Sequence, residues 1–369
     1  MEKRNRRPPQ RFDSWIFSLT AILVLLGTIM VFSASYVQSG VKHNDPLFFL
    51  KKNIIFAILG FVLMIIVSKI DYKYYKKIAI PLMWVNVVLL AVTKFTPLGI
   101  ELNYAKRWLD IGFSTLMTSE ITKFACIIMT ATIISNRKNQ IHKLSTIVQP
   151  FIYVGISVLL IIIQPDLSTS VTILFVTFGM LFIAGMQLRY VFAITGLGIF
   201  GVIMLILFEP YRMKRFTTFL DPFKDPLGNG YQVIQSLYAL GSGGIFGLGL
   251  GKSRQKFFYL PEPQNDFIFA IIGEELGYIG GIFVLILFAF LISKCLKLVS
   301  KAPDMFSAML VAGVTLQIGI QVLINIGVAT SSIPNTGIPL PFISYGGTSL
   351  VIFMSAMGII LNVSRYAKK

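Results

Sequence analysis

One aspartate stands where a long loop meets an apolar segment, and basic residues precede it. Asp266 ends the loop that starts at Glu209 and comes directly before Phe267. The basic residues of this loop are Arg212, Lys214, Arg215, Lys224, Lys252, Arg254 and Lys256. A carboxylate base beside cations suits a reaction on a phosphate-bearing substrate. Two plainer interpretations compete: Asp266 caps a helix, and the cations face solvent or anionic lipid headgroups.

Other ionisable residues lie within or beside apolar segments, where charges usually face an interior or a water-filled cavity. Glu120 and Lys123 are three residues apart, so they share a helix face and can pair, either as a structural ion pair or as part of a site. Asp166 precedes an apolar segment, which predicts a helix N-cap. Glu274 and Glu275 are adjacent, so we expect at most one of them to face any given site.

The last long connection, residues 334–349, contains three prolines and a pair of glycines. Proline interrupts regular helix and glycine permits a tight turn. Non-helical backbone near membrane depth must be buried in protein or line a cavity, so this connection is a candidate cavity wall. The run Gly251-Lys252-Ser253 lacks the spacing of a nucleotide-binding loop. His43 and His142 are predicted to lie on opposite sides of the membrane, which argues against a metal cluster built from them.

Apolar segments of membrane-spanning length must position these residues. The chain has 369 residues, a net charge of +17, 55% hydrophobic residues and 13% charged residues. Soluble domains average about 25% charged residues, so the composition excludes a soluble nucleic-acid binder. We predict an all-α polytopic membrane protein whose ten transmembrane helices lie near residues 15–37, 51–68, 78–96, 117–135, 146–164, 167–186, 190–208, 267–293, 306–330 and 347–363.

The distribution of charge predicts the orientation of these helices. With both ends inside, the inner segments hold nineteen basic and four acidic residues, as the positive-inside rule requires. We expect one membrane domain over residues 1–369, with a basic inner tail at 1–14, an uncleaved first span and no soluble domain at either end. The large outer loop, residues 209–266, is expected to contain an amphipathic helix over 231–240, followed by a glycine-rich stretch.

Several motifs together resemble those of the SEDS family, the group of FtsW, RodA and SpoVE. The resemblance covers all ten predicted spans and is closest to the FtsW and SpoVE branch. It rests on Arg107-Trp108, Ser119-Glu120 with Lys123, Gln164-Pro165-Asp166, Gly230-Tyr231-Gln232, Leu260-Pro261-Glu262, Asp266-Phe267-Ile268-Phe269-Ala270, Glu274-Glu275-Leu276-Gly277 and Ser344-Tyr345-Gly346-Gly347-Thr348-Ser349.

The resemblance implies a peptidoglycan glycosyltransferase in the bacterial cytoplasmic membrane. Such an enzyme would polymerise lipid II on the outer leaflet, for division, sporulation or shape, together with a class B penicillin-binding protein. The family's essential aspartate falls on Asp266. The substrate-binding candidates are Arg107, Trp108, Glu120, Lys123, Asp166, Arg212, Arg215, Gln232, Lys252, Arg254, Glu274 and Ser344. The resemblance implies no organic cofactor, although a divalent cation, Mg²⁺ or Mn²⁺, could share the charge of the pyrophosphate.

Two other functions remain open from the sequence. A lipid II flippase would need substrate contacts in both leaflets and a site at the midplane. A scaffold that activates the penicillin-binding protein would not need the carboxylate of Asp266.

Overall fold

The chain is predominantly helical. The computed structural model describes residues 11–102, 105–110, 112 and 115–367, so most of the predicted basic tail at 1–14 lies outside the described residues. Ten helices match the ten predicted segments: α1 Ser14–His43, α2 Phe48–Lys69, α3 Lys73–Phe95, α4 Thr118–Asn136, α5 Leu144–Ile163, α6 Leu167–Ile183, α7 Leu188–Leu207, α10 Ile268–Lys301, α11 Met305–Ala329 and α12 Thr348–Ser364.

Length and composition qualify most of these helices as membrane spans. Within the described part of the chain, seven of them are long and apolar enough to cross a membrane. The helices α6 and α12 are apolar but shorter. The chain is therefore a multi-pass membrane protein.

The helices differ in how deeply they lie in the bundle. Almost every residue of α4 from Thr118 to Ile134 is buried, and most of α11 is buried as well. The helix α4 packs against α3, α5, α6 and α11, so it forms the centre of the bundle. No residue of α7 is buried. A polar residue on α4 or α11 must therefore find its partners inside the protein.

A small β-sheet corrects the prediction of an all-α fold. The strands β1 Gly99–Leu102, β2 Ala105–Asp110 and β3 Thr115–Met117 form an antiparallel sheet in the order β1-β2-β3. This sheet connects α3 to α4. Its strands have three to six residues, too short for a clear alternating pattern.

The long loop, residues 209–266, folds into two helices and a series of turns. The helix α8 covers Pro210–Leu220, and α9 covers Tyr231–Gly243, which confirms the amphipathic helix expected at 231–240. The glycine-rich stretch turns through left-handed backbone at Gly244, Gly247, Gly249 and Gly251. It packs closely against a break in α10 at Gly277, where a Cβ atom would stand 2.3 Å from the Gly247 nitrogen. The glycine-rich part of the loop is thus held against α10.

Candidate active site

The side chain of Asp266 is not used to cap a helix. The helix α10 begins at Ile268, its N-cap residue is Phe267, and no described side chain caps it. The interpretation of Asp266 as an N-cap is therefore wrong. Its side chain is half-buried.

The backbone at Asp266 is fixed by an amide from the centre of the bundle. Asn325 on α11 is fully buried, and its Nδ2 donates to the carbonyl oxygen of Asp266 at 2.7 Å and to that of Ile338 at 2.9 Å. One side chain therefore ties the end of the long loop to the proline-rich loop, residues 334–347.

The proline-rich loop makes a second connection to the same backbone. The hydroxyl of Ser344 donates to the carbonyl oxygen of Asn265 at 2.7 Å and accepts from the Leu340 nitrogen at 2.8 Å. Ser344, a substrate-binding candidate, thus makes its contacts with the backbone that carries Asp266. A Cβ atom at Gly337 would lie 3.5 Å from Asp266 Oδ2, and Gly337 has a φ of +72°.

Burial raises the pKa of Asp266 to about 6, because the ionised form loses hydration. The negative charge of Glu262 raises this pKa further, whereas the guanidinium of Arg215 lowers it. A carboxylate with such a pKa is ionised at neutral pH and accepts a proton more readily than an ordinary aspartate. This is the property expected of a general base.

Gly337 also belongs to the wall of a small polar cavity. Lys123 Nζ lies 2.7 Å from Glu120 Oε1, both side chains are buried, and the predicted pair is confirmed. Ser349 donates to Glu120 Oε2 at 2.9 Å, and Lys123 lies 3.4 Å from Gln321 Oε1. The cavity measures about 40 Å³. Its wall is formed by Arg107, Met117, Glu120, Lys123, Asp166, Thr169, Thr172, Gln321, Thr336, Gly337, Ile338 and Pro339.

Asp166 both caps a helix and lines this cavity. Its Oδ1 accepts from the Thr169 nitrogen at 3.1 Å, which confirms the predicted N-cap of α6. Its Oδ2 is buried and has no partner among the described residues. Arg107 Nε donates to the carbonyl oxygen of Gln164 at 3.1 Å and so ties the sheet to the start of α6. Trp108, the next residue of β2, pairs with Ile100 of β1 and with Met117 of β3.

A larger cavity lies between α8, α9 and the proline-rich loop. It measures about 190 Å³. Arg215 Nη1 donates to the carbonyl oxygen of Asn335 at 3.1 Å, and Asn335 Nδ2 donates to Gln232 Oε1 at 3.2 Å. Two of the substrate-binding candidates, Arg215 and Gln232, therefore share this cavity.

Other candidates have different positions. Arg212 Nη1 donates to the carbonyl oxygen of Leu205 at 3.1 Å and so caps the end of α7. Lys252 and Arg254 are exposed on the glycine-rich segment. Four loop cations are substrate-binding candidates: Arg212, Arg215, Lys252 and Arg254. Of these four, the structure brings only Arg215 near Asp266.

Both acidic residues of α10 bind one segment, so the expectation that only one of them could do so is wrong. Glu274 accepts from the backbone nitrogen of Arg254 at 2.8 Å and from the hydroxyl of Ser253. Glu275 accepts from the backbone nitrogen of Ser253 at 3.2 Å and pairs with Lys256 at 3.0 Å. The segment lies across the two carboxylates, so residues on different sides of one helix can both reach it. Glu274, a substrate-binding candidate, is thus engaged in holding the loop.

The interpretation of the loop cations as a solvated face is wrong for Lys256, because this residue is buried. Its side chain is 0% exposed, and its Nζ also lies over the ring of Tyr36 at 5.0 Å from the centroid. Ser33, on the same helix α1, donates to Glu275 at 2.6 and 2.8 Å.

The chain matches a family model for its whole described length beyond residue 12. The model, described as "Cell cycle protein", groups FtsW, RodA and SpoVE and matches residues 13–369. The chain belongs to this SEDS family.

Curated relatives and solved structures agree with this assignment. The chain is 42% identical over 357 residues to stage V sporulation protein E of Bacillus subtilis, covering 96% of this chain and 98% of the relative. It is 38% identical over 354 residues to a probable peptidoglycan glycosyltransferase FtsW of Trichlorobacter lovleyi, covering 96% and 93%.

Two solved structures have the same fold over nearly the entire chain. One is described as "Structural coordination of polymerization and crosslinking by a peptidoglycan synthase complex", with a TM-score of 0.79, 28% identity and coverage of 96% of this chain and 98% of that chain. The other is the rod shape determining protein RodA of Thermus thermophilus, with a TM-score of 0.72, 25% identity and coverage of 97% and 98%.

Asn325 is a site residue of this SEDS protein that the sequence did not single out. It follows Gln317 and Gln321 at four-residue spacing in an otherwise apolar helix, and this polar row could have marked it as a contact inside the bundle.

We expect Asn325→Leu to destabilise the protein by about 1–3 kcal/mol, because two buried carbonyl groups lose their donor. Thermal unfolding in detergent micelles would measure this change. Thr330→Ala is the control, since its exposed hydroxyl bonds within its own helix end. Equal stabilities of the two variants would contradict the assigned role of Asn325.

Proposed function

We propose that the chain polymerises lipid II into glycan strands with Asp266 as the general base. The observation that carries the proposal is the half-buried carboxylate of Asp266, whose pKa is raised. It lies beside Gly337, which lines the cavity that contains Lys123, and its pKa is affected by the charge of Arg215, which lines the larger cavity. The SEDS relatives named as peptidoglycan glycosyltransferases support it.

In the proposed reaction, Asp266 removes the proton from the 4-hydroxyl group of the acceptor sugar. The oxygen attacks the anomeric carbon of the donor sugar and forms the new glycosidic bond. The bond from that carbon to the pyrophosphate oxygen breaks, and undecaprenyl pyrophosphate leaves with the electron pair. A general base of this kind contributes about 10²–10⁴-fold to the rate.

The leaving group needs positive charge rather than a proton. Lys123 and Arg107 line the small cavity, so we assign the pyrophosphate to this side of Asp266. Arginine suits bidentate contacts with phosphate.

A divalent cation, Mg²⁺ or Mn²⁺, is part of the proposal. The described residues contain no group of three His, Cys, Asp or Glu side chains placed to hold a metal ion. Such an ion would depend largely on oxygen atoms of phosphate and water, which Mg²⁺ commonly uses.

We also propose how the chain is oriented in the membrane. All ten helices that match the predicted segments would cross the membrane with both ends inside, as the charge distribution favours. The long loop and the proline-rich loop would then face outward, and Asp266 would meet lipid II at the outer leaflet. The proposed partner is a class B penicillin-binding protein that crosslinks the product, and the similarity to a chain of a peptidoglycan synthase complex supports this.

The purified chain and its partner, reconstituted in lipid vesicles with labelled lipid II, test the proposal. We expect labelled glycan polymer that a muramidase digests. Movement of lipid II across the vesicle membrane without polymer would contradict the proposal and favour a flippase.

The polymerisation rate should fall with decreasing pH. Asp266 must be deprotonated to act as a base, so the rate is expected to be half-maximal near pH 6 and to fall at lower pH. Initial rates at constant ionic strength between pH 5 and 8 would measure this profile. Glu262→Gln removes a negative charge that raises this pKa, so its midpoint should move to lower pH. A midpoint unaffected by this variant would contradict the assignment of the profile to Asp266.

A further inference from the structure

The larger cavity contains side chains that suit an uncharged, hydroxyl-rich ligand. Its wall is formed by Arg215, Thr218, Phe219, Gly228, Asn229, Gln232, Val233, Ser331, Ile333 and Asn335. Three amides and two hydroxyls can each donate and accept hydrogen bonds. Phe219 and the aliphatic side chains supply apolar contact, and the wall contains no carboxylate.

The hydrogen bonds within the wall leave defined groups for a ligand. Gln232 accepts from Asn335 through Oε1, while its Nε2 has no partner among the described residues. Asn335 Oδ1 accepts from the Gly337 nitrogen at 3.2 Å, so the Asn335 amide is held at both ends. The donors of this cavity are therefore oriented before a ligand arrives.

Consecutive residues of the proline-rich loop line the two cavities, and Asp266 lies beside this stretch. Asn335 belongs to the larger cavity, whereas Thr336, Gly337, Ile338 and Pro339 belong to the small one. Asp266 lies against Gly337 at this boundary, and the charge of Arg215 reaches it from the larger cavity. Ligands in the two cavities would thus lie near the same carboxylate.

We propose that the larger cavity binds the sugar of the glycan acceptor, the molecule whose hydroxyl group is deprotonated. This inference rests on the proposed function. The small cavity, with Lys123 and Arg107, takes the pyrophosphate of the donor, and the volume of about 190 Å³ gives the acceptor room for one sugar residue beside Asp266. Gln232 and Thr218 are the residues that position this sugar.

Binding of a soluble glycan fragment tests the inference without turnover. The probe is a radiolabelled, lipid-free tetrasaccharide of alternating N-acetylglucosamine and N-acetylmuramic acid, which has no leaving pyrophosphate and cannot act as a donor. Its binding to the full chain in detergent is measured by equilibrium dialysis. Gln232→Glu keeps the oxygen that accepts from Asn335 but removes the amide donor, so we expect the Kd to rise about tenfold.

One further variant and two controls separate recognition from folding. Thr218→Val removes a hydroxyl at nearly constant shape and is expected to raise the Kd about fivefold. Gln235→Glu and Thr217→Val are the controls. Gln235 lies on the same helix as Gln232, and the exposed Thr217 bonds to its own helix at the Lys214 carbonyl oxygen. Both controls should bind as the unmodified chain does.

In the polymerisation assay, Gln232→Glu should raise the KM for lipid II and change kcat less than twofold. No tetrasaccharide binding to the unmodified chain, or equal binding by Gln232→Glu and Gln235→Glu, would overturn the inference. Tetrasaccharide binding that follows the expected pattern in a chain that makes no polymer would support the sugar site and refute the proposed polymerase.

Discussion

Asp266→Asn is expected to lower the rate of glycan polymerisation by about 10²–10⁴-fold. The amide has nearly the same shape as the carboxylate but cannot take the proton of the acceptor hydroxyl. Asn325 holds this residue through its backbone carbonyl group, so the loop should keep its position in the variant. Initial rates with labelled lipid II at pH 7.5 would measure the loss.

The neighbouring carboxylate provides the control for this experiment. Glu262 is exposed, and Glu262→Gln should retain most of the rate at pH 7.5, where Asp266 is ionised in either chain. Polymerisation by Asp266→Asn at the rate of the unmodified chain would refute the general base. If that chain also restored growth in cells that lack the wild-type protein, a scaffold function would be favoured.

Lys256→Met is expected to destabilise the protein by about 3–5 kcal/mol, because it leaves the buried carboxylate of Glu275 without its cation. The substitution keeps most of the side-chain volume. Unfolding in mixed micelles, followed by the loss of helical circular dichroism, would measure the change in free energy.

A double variant and an exposed pair test this explanation. Lys256→Met combined with Glu275→Gln removes both charges and should recover much of the lost stability. The pair of Lys51 and Asp45 is exposed to solvent, which screens it, so Lys51→Met should change the stability little. A loss from Lys256→Met as small as that from Lys51→Met would contradict a structural role for the buried pair.

Hydropathy predicted the helices well because each apolar segment is long and has clear polar boundaries. The pairing of Glu120 with Lys123 and the cap at Asp166 were also predictable, because both depend on residues three apart in one helix. The sheet was not predicted, because its strands are short and its pairing depends on the ends of α3 and α4. The contact of Asn325 with the backbone of Asp266 was likewise not predicted, because the two residues are 59 positions apart in the sequence.

The positions of the loop cations depend on tertiary folding, which the sequence does not reveal. Seven basic residues in one loop are typical of a solvated or lipid-facing surface. The structure instead gives them distinct environments: Lys256 is buried in an ion pair, Arg212 caps α7, and Arg215 reaches the site. Charge alone could not distinguish these positions, because each depends on a partner from another element.

The carboxylates of Glu274 and Glu275 link the folding of a loop to the insertion of a helix. An ionised carboxylate at the centre of a bilayer helix costs about 2.5–3.5 kcal/mol on insertion scales. The segment from Ser253 to Lys256 gives Glu275 a cation and gives Glu274 hydrogen-bond donors, and it precedes α10 in the chain. The cation of Glu275 and the hydrogen-bond donors are therefore synthesised before the helix that needs them. We therefore expect a substitution in this segment to lower the yield of inserted protein, an effect on biogenesis that precedes any binding of substrate.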